Sequence, residues 1–365
     1  MPWTLFHLSC AVLISWLTLH SSNAQTLSDC RPPPPMRPNV KPGVVGLDLS
    51  DDGRTLLVAG GDGMIRFVDM TSGRVLRVLV GHTNALYLAI FNHDEKLIAS
   101  SSRDLTARVW DWASGRELWK ASGFRCSVKA VAFSPDSRLL AVAGNDGMLK
   151  LYEVKSGKEL HSLLHINSAT VDMSVYSVAF GRDASKVYAG NGDGTISEWD
   201  TASGKETRTW KAHQGNAFKL EFNPDRSVLA SLGFDGYVKL WDVTTGREVR
   251  SLSMTRTPGE AVIVPTALAF SNDGKLVAAS SVGLDQKQTT YLFIQTLVWT
   301  TNGGEKLFTL EGHKFDVPAL IFSSDDRFLL TGGVDTTIKF WDMKTGSLAK
   351  TFTMPATNRQ ALGTP

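Results

Sequence analysis

The sequence predicts an all-β fold built from seven four-stranded antiparallel units, and three observations carry that prediction. The first is the stretch Gly312–Asp342, GHKFDVPALIFSSDDRFLLTGGVDTTIKFWD. Its apolar runs VPALIF, FLLTGG and TIKFWD are rich in β-branched and aromatic residues. Ser-Ser-Asp-Asp and Val-Asp-Thr separate them, and a fourth run, SLAKTF, follows Lys-Thr-Gly. That is a meander of four strands. The second observation is repetition. Phe322 ends the first run, and Leu49, Phe91, Phe133, Phe180, Phe222 and Phe270 occupy the equivalent place elsewhere. Nineteen residues after that anchor stands Trp341, and the same step leads to Val68, Trp110, Tyr152, Trp199 and Trp241. Only the sixth unit departs, with Phe270 and Trp299 twenty-nine apart. The third observation is turn chemistry, with Ser-Asp-Asp-Gly, Ser-Pro-Asp-Ser and Asn-Pro-Asp-Arg between first and second strands and Ser-Gly or Thr-Gly before the fourth. A single unit has two apolar faces and cannot bury both. Seven of them should therefore close into a ring, a seven-bladed β-propeller.

In order, the blades begin with VVGLDL, LYLAIF, VKAVAF, VYSVAF, AFKLEF, PTALAF and VPALIF. Each is followed by three further runs, so every blade owns four strands. Neither terminus offers a spare strand, so the first and seventh sheets should close the ring by packing face to face. Asp-Gly pairs such as Asp62-Gly63 and Asp193-Gly194 read as turns, because no ligand run ending in Glu surrounds them as a calcium loop would require.

The Gly-His and Trp-Asp marks at these spacings resemble the WD-repeat β-propellers over roughly Val44 to Met354. The resemblance implies a hydrogen-bonded set in each blade: a His before the first strand, a Ser or Thr in the second, an Asp in the next turn and the Trp of the third. Three blades match it fully: His82, Ser100, Asp104, Trp110; His213, Ser231, Asp235, Trp241; and His313, Thr331, Asp335, Trp341. A Ser-His-Asp set also resembles a hydrolase triad. A nucleophile, however, needs an exposed oxygen and an oxyanion hole, whereas these sets recur inside strands and end on an indole donor. They are expected to be structural. Blade 1 has Val58 and Val68 instead, blade 3 Val142 and Tyr152, blade 4 Ala189 and no His, so apolar packing is expected to replace the network there. His161 and His165 read as solvated rim. The chain has no Gly-x-Ser-x-Gly, phosphate loop, His-Glu-x-x-His or haem motif. No catalytic residue, cofactor or metal is expected, and the protein is not expected to be an enzyme.

Residues 1–24 contain the apolar run LFHLSCAVLISWLTL with small residues at Ser22-Asn23-Ala24, as a cleaved signal peptide would. The run is shorter than the ~20 residues of a spanning helix, so no membrane span is expected after cleavage; an anchor retained uncleaved is the alternative. A secreted or periplasmic protein follows, with a bacterial periplasm favoured. Residues 25–43, with RPPPPMRPNVKP, read as an extended tether, and 355–365 as a flexible tail. Thirty-eight basic against thirty-six acidic residues leave no basic stripe for nucleic acid. After cleavage Cys30 and Cys126 remain, too few for a disulfide framework. Cys126 reads as a small core or rim residue, with a bridge to the tether as the alternative.

Anchors are normally forty-two residues apart, with three insertions: around HINSATVDM before blade 4, around MTRTPGEAVIV before blade 6, and around VGLDQKQTT inside blade 6. In a meander these connectors all emerge on one face. By resemblance, that face is the one WD-repeat propellers most often use for partners, and it presents Tyr87, Arg103, Lys129, Asn145, Tyr176, Asn216, Phe218, Phe234 and Asp316. Aromatic residues and an Arg on a rim suit protein binding. The function expected is a non-catalytic scaffold for a protein or peptide partner, monomeric alone. The alternative is a small-ligand or enzymatic propeller using the central funnel, where Asp48, Lys129, Lys219 and Glu221 are the charges on the first strands. Phe218 and Phe234, beside two of the insertions, are expected to anchor the partner, with Phe234 contributing little to the fold.

Overall fold

The structure, a computed structural model, describes residues 41–165, 172–255 and 261–356. The expected signal peptide, most of the tether and tail, and parts of the insertions before blades 4 and 6 lie outside the described residues. The rest forms seven sheets of four antiparallel strands in sequence order, and among the described residues no helix is present. The fold is a seven-bladed β-propeller.

Short runs alternating with Gly-Asp turns leave each chain segment time for one strand only, and each sheet twists so that its flat apolar faces meet the next blade. The core is therefore divided into seven clusters, one at each blade interface. Leu57, Ile65 and Phe67 of blade 1 pack on Leu86, Ile98 and Trp110 of blade 2. Ring closure uses the same device. Val44, Leu56, Val58 and Val68 meet Leu330, Ile338, Phe340 and Phe352. The Val44 N–H donates to the Gly333 carbonyl at 3.0 Å, and Lys350 Nζ donates to the Thr71 carbonyl at 2.7 Å. Among the described residues no strand is exchanged between the ends of the ring.

The insertion inside blade 6 is mainly strand, where a loop was expected. Its first three strands run Val262–Phe270, Leu276–Leu284 and Tyr291–Thr300, against six residues in each of the matching strands of blade 5. The reason is apolar alternation carried into the added residues. Val264, Val282 and Leu284 bury themselves in an eighth small cluster with Val262, Tyr291 and Ile294. Only the tip, Asp285–Thr290, is a turn, held by the Asp285 carboxylate accepting from the Thr289 and Thr290 N–H groups.

Candidate functional site

The three full sets have one geometry. In blade 2, Trp110 Nε1 donates to Ser100 Oγ at 2.9 Å, Ser100 Oγ meets His82 Nε2 at 2.7 Å, and His82 Nδ1 meets Asp104 Oδ2 at 2.8 Å. Since Asp104 can only accept, the network assigns the His82 proton to Nδ1, and Ser100 donates to Nε2. Blade 5 repeats it through Trp241, Ser231, His213 and Asp235, and blade 7 through Trp341, Thr331, His313 and Asp335. Ser100, Ser231 and Thr331 are wholly buried, so their oxygens offer no attack path. A Cβ at Gly233 or Gly333 would strike the ring of His213 or His313 at 2.2 or 2.4 Å.

The blades without a full set are not uniformly apolar, contrary to expectation. In blade 3, Phe124, Val142 and Tyr152 share one apolar cluster, but Lys150 pairs with Glu159 at 3.0 Å and the Tyr152 hydroxyl donates to the same carboxylate. Blade 1 instead buries an ion pair, with Arg66 Nη1 donating to Asp62 Oδ1 at 3.0 Å and Nη2 to Oδ2. Blade 4 recruits His165, whose Nδ1 lies 2.9 Å from Glu206 and Nε2 3.4 Å from the turn Asp193. Its side chain is 11% exposed, so it is no solvated rim residue. The bond to Asp193 raises its pKa, burial works against that, and Glu206 adds to the rise. His161 Nε2 lies 3.1 Å from the Ala202 carbonyl. Ser197, on the third strand, takes the Trp199 indole N–H at 3.0 Å. The insertion hid His165: counting back from Phe180 by the usual step stops short of it. Counting forward finds it, thirteen residues after Tyr152, where His82, His213 and His313 stand fourteen after Val68, Trp199 and Trp299.

The face carrying the insertions is shaped by a repeated defect. In six of the innermost strands the register slips by one residue beside the second strand. The extra residues are Val45, Tyr87, Lys129, Tyr176, Phe218 and Thr266. A β-bulge bends the strand and re-aims the extra side chain, and here it does so at the channel mouth. The residue before the turn Asp is pinned beside it. The N–H groups of Arg103, Asn145 and Phe234 donate to the carbonyls of Ala85, Ser127 and Asn216 at 2.9, 3.0 and 3.2 Å. Bulge and pinned turn place the side chains of each blade side by side, and neighbouring blades join them into an arc.

Along that arc, Lys129 Nζ stands 4.0 Å over the Tyr87 ring. Asp172 accepts from the Tyr176 hydroxyl at 2.9 Å and from Asn216 Nδ2 at 3.3 Å. Tyr176 packs on Phe218 with centroids 5.8 Å apart, and Phe218 on Phe234 edge-on at 5.6 Å. Tyr176 is buried, as is Asp316 farther round the ring. Burial pushes the Asp316 carboxyl up to about 6, partly offset by a bond from Tyr291. Phe234 is half-buried against Val264, Val282 and Leu284 of the lengthened blade 6. The expectation that it contributes little to the fold is corrected: the strand extension supplies its contacts.

In the funnel, Asp48 accepts the N–H groups of Leu49 and Phe91 at 2.9 and 2.7 Å. Burial nevertheless raises its carboxyl to about 7, and Glu221 and Glu95 add to the rise. Burial also pushes Glu221 up and Lys219 down. A carboxyl whose folded pKa exceeds its unfolded one loses stabilisation as pH rises between the two. Asp48→Asn should therefore gain on the wild type by about 1–2 kcal/mol between pH 5 and pH 8, after allowance for solvent screening. Urea unfolding at both pH values measures the gap; a gap that does not move means an ordinary carboxylate. Among the described residues no group of three or more His, Cys, Asp or Glu could hold a metal ion. Cys126, buried beside the third blade's first strand, is disulfide-bonded. This corrects its reading as a free core or rim residue; the other cysteines of the chain, Cys10 and Cys30, lie outside the described residues.

Comparison with known proteins follows the same repeats. The family model described as WD domain, G-beta repeat matches residues 39–69, 204–242 and 304–342. The model of the anaphase-promoting complex subunit 4 WD40 domain matches residues 83–183. The chain is 33% identical over 90 residues to eukaryotic translation initiation factor 3 subunit I of Neurospora crassa, covering 25% of this chain and 23% of that protein. It is 34% identical over 70 residues to pre-mRNA-processing factor 19 of Bos taurus, covering 19% of this chain and 14% of that one. The matches thus span about a quarter or less of each relative's own length. These relatives are eukaryotic, which lends the expected bacterial origin no support. The matched repeats cover more than half of the chain, their Trp-Asp marks end the third strands of blades 5 and 7, and the ring has seven four-stranded blades: the chain belongs to the WD40 repeat family.

Proposed function

We propose that the protein is a non-catalytic scaffold that holds a protein partner on the bulged face of the propeller. The observation that carries this reading is the arc itself. Tyr87, Lys129, Tyr176 and Phe218 all occupy bulge positions, and the cost of four disrupted ladders is spread over adjacent blades at one rim. Family membership agrees: the matched names include a subunit of translation initiation factor 3 and a domain of an anaphase-promoting complex subunit, both parts of assemblies. The three Ser/Thr-His-Asp sets are closed by indole donors and spent on the fold.

Affinity capture with the full chain tests this, run beside Phe234→Ala and beside Arg138→Glu, a substitution at the exposed turn of the opposite rim. A specific partner should be retained by wild type and Arg138→Glu and weakened roughly tenfold or more by Phe234→Ala. Because the ring is half-buried, Phe234→Ala should also cost about 1–2 kcal/mol of stability, part of the penalty for truncating a buried Phe. Binding is therefore compared below the variant's melting range. A partner lost equally with Arg138→Glu would take binding off the bulged face, and turnover abolished by changes at Lys219 or Glu221 would favour the funnel reading instead.

We also infer that the protein works outside the cytosol, as a monomer when unpartnered. The apolar run within residues 1–24 and the disulfide at Cys126 support export to an oxidising compartment. Mass spectrometry of the mature chain should find an N-terminus near Gln25; an intact Met1 on cytosolic protein would reverse the inference.

A further inference from the structure

The charges of the bulged face are unevenly placed. Arg103 and Lys129 stand together at the Tyr87 end of the arc. Burial alone would raise the Tyr87 phenol, but Lys129 and Arg103 beside it hold it below its usual range. Burial depresses the Lys129 ammonium, Tyr87 counters this, and Arg103 depresses it further. Two cations thus share one phenol. The carboxylate that reaches Lys129 is Asp172, and it already accepts from the Ser174 N–H, the Tyr176 hydroxyl and Asn216. The nearby turn carboxylates point inward. Asp104 serves His82, Thr83 and Thr106, and Asp146 serves the N–H groups of Arg125 and Met148.

Arg103 differs from three arginines set into the blades. Arg66 is paired with Asp62, Arg108 with Glu117 and Arg208 with Glu198. Among the described residues the Arg103 guanidinium pairs with no such carboxylate; its unpartnered buried Nε it shares with Arg66, Arg108 and Arg208. A planar fork of donors held without an acceptor, beside a second cation, suits a carboxylate. Next along the arc lie Phe218 and Phe234. Two cations on a face that also carries Asp172 and Asp316 suit a single carboxylate rather than the evenly charged backbone of a nucleic acid.

We propose that the partner segment bound on this face is an acidic peptide, with a Glu or Asp carboxylate held by Arg103 and Lys129 and an apolar neighbour resting on Phe218 and Phe234. The inference rests on the scaffold reading and names the chemistry of its partner. The carboxylate would accept from the Arg103 fork and from Lys129 while Tyr87 keeps the ammonium in place. Charge gives the orientation along the arc, and the rings give most of the hold.

The test is fluorescence anisotropy of the full chain with three labelled peptides of about ten residues. One carries a Phe-Leu centre flanked by Glu, one has Gln in place of Glu, and one has phosphoserine there. The Glu peptide should bind at least about tenfold tighter than the Gln peptide, and the gap should narrow between about 50 and about 500 mM salt. Arg103→Gln and Lys129→Gln should each weaken the Glu peptide by about tenfold and leave the Gln peptide unchanged. Arg103→Lys should restore part of the loss. Arg103→Gln should melt as the wild type does; if it unfolds, Arg103→Lys carries the comparison. Equal binding of the Glu and Gln peptides, tighter binding of the phosphoserine peptide, or no binding of any peptide at millimolar concentration would each overturn the proposal. Loss of the charge preference while Phe218→Ser still weakens every peptide overturns this inference alone and leaves the scaffold reading intact.

Discussion

Asp62→Ala is expected to lower the stability of the protein by about 3–5 kcal/mol, the range for removing one partner of a buried ion pair. Arg66 is fully buried and Asp62 nearly so. The alanine would leave a guanidinium inside blade 1 with its main counter-charge gone. The Met64 N–H, which Asp62 also accepts, would lose its partner. The size of the loss comes from the orphaned charge more than from the pair itself, because desolvating both ions already offsets much of their attraction. Asp62→Ala combined with Arg66→Met should therefore recover most of the stability. Equilibrium urea unfolding of the single and double variants decides it. A double variant as unstable as the single one would mean that Arg66 matters for other contacts.

Asp104→Ala is expected to cost about 3 kcal/mol, through several donors left unsatisfied in one place. Asp104 accepts from His82 Nδ1, the Thr83 N–H and the Thr106 hydroxyl. Burial would raise its carboxyl, but the His82 bond and its companions overcome this and hold it well below the usual carboxylate range. A depressed folded pKa gives stability that is fully present above the unfolded value near 4 and lost as pH falls through the folded pKa. The gap between wild type and Asp104→Ala should stay level from pH 5 to pH 8 and shrink below pH 4. Asp111→Ala is the control. That carboxylate caps an exposed turn through Ser114, and its loss should cost much less than that of Asp104. Thermal melts across that pH range, with equal losses from the two alanines, would show that the network adds nothing to the turn.

The number of blades, the four strands of each and the face-to-face closure were all legible in the sequence. Period-two apolar runs and Asp-Gly turns are local features, and local chemistry dictates strands and turns. The three full His-Asp networks were legible for the same reason, since their members repeat at one spacing. What spacing could not reveal was partnership between residues whose separation varies. Arg66 reads as an ordinary alternating strand residue until the turn folds Asp62 onto it. His165 reads as rim until the added residues before blade 4 are passed over and it meets Asp193 and Glu206. The added segment of blade 6 read as loop, because its apolar residues find a core only against Phe234 of the blade before. The composition of the partner face could be listed from the sequence, but its shape could not. A β-bulge is a property of the register between two strands, and register is settled by packing across the whole sheet. The one-residue slips that turn Tyr87, Lys129, Tyr176 and Phe218 toward the mouth therefore belong to the assembled ring.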